Sequence, residues 1–153
     1  RRIRKRKAME TIKINDIKDD ILEITYQGKH YSINITKELS INESVINSQL
    51  KDFPSNYAFL CVLRDRAIKD RDKLEKEKDQ KFSELWLFFK SSDARMTNDM
   101  ANHKALGSSK YKTAEKAFLK ASYKASKLIS ICRAYESRER ILQTLSANLR
   151  KEK

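Results

Sequence analysis

Apolar and polar residues alternate between residues 10 and 36. Leu22, Ile24 and Tyr26 alternate, Gln27-Gly28 interrupts, and Tyr31, Ile33 and Ile35 alternate again. A two-residue turn at Gln27-Gly28 sets Ile24 opposite Tyr31 and Leu22 opposite Ile33, which puts the apolar set on one face of a β-hairpin. Ile12 and Ile14 predict a third strand over Thr11–Asn15. A hairpin alone is marginally stable and requires a surface to pack on.

From residue 42 the apolar period lengthens to three and four. Asn42 is placed to cap a short helix over Glu43–Lys51, which Phe53-Pro54 is expected to end. Ser55 or Asn56 then caps a much longer helix reaching Lys90. Its apolar positions are Tyr57, Leu60/Cys61, Ala67/Ile68, Leu74, Phe82, Leu85 and Phe88/Phe89. Ser91–Asp93 breaks it. Thr97 through Leu106 reads as a short helical link that Gly107 interrupts, and a third helix starts near Ser108/Ser109 and runs to Arg150. Along that helix Ala114, Phe118, Ala121, Ala125, Leu128, Cys132 and Tyr135 step alternately by four and three, a heptad seam whose alanines permit close helix approach. Glu139 interrupts the seam, and Leu142 and Leu149 resume it. The expected fold is mainly α: two long antiparallel helices forming a coiled-coil-like hairpin behind a small N-terminal β-hairpin.

Composition sharpens this picture. Apolar residues make up 39% of the 153 and charged ones 36%, which suits long helices that bury only a seam. Two glycines and one proline are too few for the turns of an all-β sandwich. A thin monomeric core predicts oligomeric assembly. No apolar run approaches the length of a membrane span or of a signal-peptide core, so no membrane partner and an intracellular protein are expected. Cys61 and Cys132 fall on the apolar faces of predicted helices and read as small buried hydrophobes in a reducing compartment. Three segments are expected: residues 1–8 as a basic leader, 9–53 as hairpin plus short helix, and 55–153 as the helical hairpin for DNA binding and oligomerisation. The leader RRIRKRK leaves two readings open, a nucleic-acid arm or a vector-derived or upstream leader before a start at Met9.

The net charge of +13 is uneven. Residues 104–153 hold thirteen Lys/Arg against four acids, residues 1–8 add six cations, and residues 9–103 net −2. A basic C-terminal block on a nearly neutral body is the footprint of a polyanion binder. Lys112, Lys116, Lys120 and Lys124 recur every four residues, with Lys127 following. Steps of four drift by about 40° on a helix, so the row is a slanted ridge beside the seam, able to track a phosphate backbone. Glu115 is the only acid between Lys104 and Tyr135, whereas solvated faces usually alternate signs. Arg133, Arg138 and Arg140 extend the field. Among the aromatics, Leu85, Phe88 and Phe89 read as core. Trp86 falls off that seam, which makes it the candidate for an exposed ring on which a base stacks. Tyr111 and Tyr123 adjoin the lysine row.

Nothing reads as catalytic. His30 and His103 are the only histidines and stand outside any recognisable ligand cluster, and two glycines cannot build a phosphate loop. A protein without enzymatic activity, cofactor or metal is expected.

The segments SNYAFLCVLRDRAIKDRDKLEKEK, WLFFKSSD, ARMTNDMANHKALG and KYKTAEKAFLKASYKASKLISICRAYESRERILQTLSANLRKE together resemble the UvsY-type recombination mediators of tailed phages in helix length, link position and apolar cadence. The resemblance covers residues 55–153. It implies a non-enzymatic protein of an infected bacterial cytoplasm that binds single-stranded DNA, assembles into rings, and helps load a RecA-like recombinase onto DNA covered by single-strand-binding protein. The family carries a basic pair near the end of the first long helix, where this chain has Glu84–Phe89, with Lys81, Lys90 and Arg95 nearby as an auxiliary group. On this reading Lys112, Lys116, Lys120, Lys124, Lys127 and Arg133 meet phosphates, while Phe118, Ala121, Ala125, Leu128, Cys132 and Tyr135 form the helix–helix and oligomer seam. Two rival functions fit the same residues: a phage structural or scaffolding oligomer, and a nucleoid-type duplex DNA binder.

Overall fold

A computed structural model describes residues 12–151. The leader at residues 1–8, Thr11 and the last two residues lie outside the described residues.

Three antiparallel strands, β1 (Ile12–Lys18), β2 (Ile21–Tyr26) and β3 (Lys29–Asn34), form a sheet in the order β1-β2-β3. The Gln27-Gly28 turn has φ of 51° and 78°, the doubly positive geometry that matches the twist of the flanking strands. It sets the anticipated register, Ile24 opposite Tyr31 and Leu22 opposite Ile33. The third strand is longer than its alternation suggests. A bulge between Ile14 and Asp16 shifts the phase, so that Ile17 joins Leu22 and Ile24 in the buried set. Two residues depart from the expected face. Tyr31 is exposed, and Ile35 lies in no strand. The Asn34 side chain accepts a hydrogen bond from the Lys37 amide (2.9 Å) and so caps α1 (Ile35–Leu39), whose first residue is Ile35.

Asn42 caps only a 3₁₀ turn, Glu43–Val45, through the Ser44 amide (3.1 Å). The helix that follows, α2, runs unbroken from Ile46 to Ser92 and carries Pro54 inside it. The predicted break at Phe53-Pro54 is therefore corrected. Proline removes one helix hydrogen bond, at a cost of about 3 kcal/mol. Phe53 is buried, stacks on Tyr57 at 5.4 Å and meets Tyr135 at 6.4 Å, and these contacts hold the helix across the missing bond. Thr97 caps α3 (Asn98–Gly107) by accepting from the Met100 amide at 3.2 Å. Only Ser108 separates α3 from α4 (Ser109–Lys151). Among the described residues no helix is long and apolar enough to cross a membrane.

The chain groups into two compact units that cut across the expected segments. Unit 1 takes the sheet, α1, α2 up to Asp65 and α4 from Ser126. Within it the two helix segments run antiparallel: the Tyr57 hydroxyl donates to the Glu136 carboxylate, and Asn47 faces Ser146 at 3.5 Å. Phe53, Leu60 and Leu63 are buried from α2, and Leu128, Ile131, Cys132, Tyr135 and Leu142 from α4. Arg138, 9% exposed, donates from Nη2 to the Ser40 carbonyl (3.1 Å). Cys61 and Cys132 are both free thiols; Cys132 is buried and Cys61 half-buried. Burial, with Cys61 beside it, pushes the Cys132 thiol up to about 11. Leu149 does not resume the seam. α2 begins at Ile46, one residue before the Asn47 that faces Ser146, so α4 continues past its partner and Leu149 is exposed.

Unit 2 spans Arg66–Ala125 and holds the rest of α2, all of α3 and the start of α4. Here too the α2 and α4 segments run antiparallel. Phe82 meets Tyr111 edge-on at 5.9 Å, and the Lys78 ammonium lies 4.5 Å from the Phe118 ring centre. Along the alanine-rich part of the cadence, Ala114, Phe118 and Ala121 are half-buried and Ala125 is buried.

Candidate nucleic-acid interface

Helix periodicity builds this surface from the seam outward. Phe118 and Ala121 turn one side of α4 toward α2 within unit 2, and the four-residue row of lysines is left on another side. Lys112, Lys116 and Lys120 are exposed, and among the described residues none of the three has an ion-pair partner. Lys110, at the start of the same helix, is exposed and equally unpaired. Lys124 and Lys127 differ: both are half-buried and neither is a free cation. Lys127 and Arg133 belong to unit 1, where Arg133 is exposed.

The charged stretch of α2 in the same unit behaves differently. Arg71 pairs with Asp72 (2.7 Å), Lys73 with Glu77 (3.7 Å), Lys78 with Asp79 (3.3 Å) and Lys81 with Glu84 (2.6 Å). The Lys81 ammonium holds the Glu84 carboxyl below the usual carboxylate range. Acids interleaved with cations thus offset much of the charge of α2, leaving Lys69 and Lys76 exposed without an ion pair among the described residues, whereas α4 between Lys110 and Lys120 offers four cations to one half-buried acid, Glu115. The field able to attract a polyanion therefore sits on α4.

The auxiliary group is largely engaged in structure. Lys90 donates from Nζ to the Met96 carbonyl at 2.6 Å and ties down the turn between α2 and α3. Arg95 is exposed in that turn, and its backbone amide donates to Asp93 Oδ1 (2.8 Å).

The aromatics redistribute the expected roles. Phe88, assigned to the core by its spacing, is 64% exposed, while Phe89 is half-buried with the Lys104 ammonium 5.9 Å from its ring centre. Trp86 is half-buried and lines an open groove with Phe82, Ser83, Leu87, Asn98 and Asn102. Tyr111 spends its ring on Phe82, and Tyr123 is exposed but engaged. Sequence reasoning missed Lys110, Asn98 and Asn102. Lys110 lies off the four-residue row, and the two asparagines gain meaning only when α3 folds back against the end of α2.

Set beside known proteins, the chain matches no family model, no curated protein and no solved structure.

Proposed function

We propose that this chain is a single-stranded DNA-binding protein that acts by assembly and positioning, with the α4 lysine face as its phosphate contact. The observation that carries this reading is the contrast in unit 2 between an α2 whose cations are interleaved with acids, four of them ion-paired, and an α4 whose exposed Lys112, Lys116 and Lys120 have only Glu115 among them and no ion-pair partner among the described residues. A row of unpaired lysines at one-turn spacing binds phosphates by releasing their counterions. The role we assign is that of a recombination mediator: a homo-oligomer, ring-shaped as in the UvsY-type family, that gathers weak basic faces on one strand and helps a RecA-like recombinase displace single-strand-binding protein. Several faces acting on one strand supply avidity.

Fluorescence anisotropy with a labelled single-stranded oligonucleotide, competed by duplex DNA and by heparin at two salt concentrations, tests the binding reading. Preference for the single strand with steep salt weakening is expected. The triple variant Lys112→Glu, Lys116→Glu, Lys120→Glu should abolish binding while leaving helicity and oligomer mass unchanged. Better duplex binding would favour an architectural protein, and binding no stronger than to heparin would favour a scaffold with a protein partner. Stimulation of recombinase loading on protein-coated single strands tests the mediator role separately.

A further inference from the structure

Two helix faces meet in unit 2 to form a groove of about 520 Å³. From α2 come Phe82, Ser83, Trp86 and Leu87, spaced to share one side of the helix; from α3 come Asn98 and Asn102, one turn apart. The groove is shallow and largely open to solvent, a shape that suits one face of a flat ring rather than an enclosed ligand. Its chemistry is specific. No charged side chain lines it, so it offers nothing to a phosphate or a carboxylate. It offers aromatic surface: the Trp86 ring, and with it Phe82, which meets the Tyr111 ring edge-on at 5.9 Å.

Its polar groups are open to solvent rather than engaged within the protein. Among the described residues, neither the Asn98 amide, the Asn102 amide nor the Trp86 indole N–H makes a hydrogen bond, although Trp86 and Asn102 are half-buried. Ser83 is different, since its hydroxyl already donates to the Asp79 carbonyl (3.1 Å). Each amide carries two donors beside a two-lone-pair acceptor, the paired pattern that matches the edge of a nucleobase. A flat, uncharged aromatic ligand with donors and acceptors on its rim could stack on the Trp86 face and bond the Asn98 and Asn102 amides. A base in a duplex is stacked and paired and cannot enter; a base of a single strand can. Arg95 is exposed in the turn that leads into Asn98.

We infer that the Trp86–Asn98–Asn102 groove receives one unstacked base of the bound single strand, with Trp86 as its stacking platform and the two amides reading its edge. This rests on the single-strand binding proposed above and adds a base contact to a phosphate contact.

The chain contains one tryptophan, so its emission reports on the groove directly. Full-length protein is titrated with a labelled single-stranded oligonucleotide and with an abasic strand of equal length, while anisotropy and tryptophan fluorescence are followed together. The oligonucleotide is expected to quench Trp86 with the anisotropy midpoint. The abasic strand should bind about tenfold more weakly, the scale of one lost base stack, and leave the emission unchanged. The double variant Asn98→Ala, Asn102→Ala, with its helicity checked by circular dichroism, should lose a similar factor at an unaltered salt slope. Tight oligonucleotide binding with constant Trp86 emission and equal abasic affinity would overturn the groove and leave the lysine face standing. No anisotropy change with either strand would overturn both.

Discussion

Between Ile46 and Asp65, α2 buries Ile46, Phe53, Leu60 and Leu63; between Arg66 and Ser92, the same helix buries only Ala67. The partner helix repeats the contrast. From Ser126 onward α4 buries Leu128, Ile131, Cys132, Tyr135, Arg138, Leu142 and Ser146, while from Ser109 to Ala125 it buries Ala125 alone. Unit 1 is closed by large side chains and by side-chain hydrogen bonds between distant segments, Tyr57 to Glu136 and Arg138 to the Ser40 carbonyl. Unit 2 leaves its rings half-exposed, sets ammonium groups over two of them, and keeps a row of cations uncompensated. One helix pairing therefore does two jobs. Burial per residue stabilises the first unit, and the surface withheld from burial in the second is available to a ligand.

The largest expected effect breaks the comparison most directly. Leu128→Ala removes a side chain with no exposed surface and should cost about 2–5 kcal/mol, read from urea unfolding. Phe82→Ala, from a half-buried ring, should cost clearly less. Equal losses would erase the distinction between the units.

A second test uses alkali. The Cys132 thiol is raised from 9.0 to about 11 in the folded chain, so the folded state holds its proton more tightly than the unfolded state. The associated stability is complete below pH 9 and is lost as the pH climbs toward 11, by roughly 2–3 kcal/mol in all. Tyr135, raised by burial, and Tyr57, raised by its bonds to Glu136 and Cys61, extend the loss to higher pH. Cys132→Ala should flatten the early part of this slope in unfolding curves collected at pH 8 and pH 11. An unchanged slope would mean that the thiol is as free to ionise in the fold as outside it.

Tyr57→Phe comes next. It strips the Glu136 carboxylate of a charge-assisted donor and should cost about 1–2 kcal/mol by thermal or urea unfolding. The smallest stability effect belongs to unit 2. Lys116→Gln with Lys120→Gln should shift stability by less than about 0.5 kcal/mol. The same pair should lower the salt slope of single-strand binding by about 1.4, or about 0.7 per phosphate contact. A large loss of stability with no change in slope would reassign these lysines to structure.

Local patterns were the legible part of the sequence. Alternation around Gln27-Gly28 gave the hairpin register residue by residue, because pairing in a two-residue hairpin is fixed by its turn. The three-four cadence of α4 picked out Ala125, Leu128, Cys132 and Tyr135, all of them buried, because the buried side of a helix repeats in its own chain. What escaped depends on partners distant in sequence. Pro54 reads locally as a break, and only Tyr135 and the buried Phe53 explain why α2 continues. Leu149 continues the cadence past the point where α2 begins. The lysine row could be found, but the ion pairs of α2 and the engagement of Lys81, Lys90 and Lys124 required side-chain geometry. The Trp86 groove joins two helices whose sequences give no hint that their amides and ring share a wall.

Unit 2 is also an insertion within unit 1, and this nesting gives the fold an order in time. Phe82 and Tyr111 are 29 positions apart, whereas Tyr57 and Glu136 are 79 apart, and Asn47 and Ser146 are 99 apart. Loop closure costs grow with separation, and local contacts form faster than remote ones. The α2–α4 pairing of unit 2 can therefore close before the more remote pairing of unit 1. Pulse-labelled hydrogen exchange during refolding should then protect amides around Phe82 and Phe118 before those around Leu60 and Leu142. The opposite sequence would show that burial outruns proximity. In the expected order, the weakly buried unit brings the two helices together first and thereby shortens the search through which the deeply buried unit finds its partners.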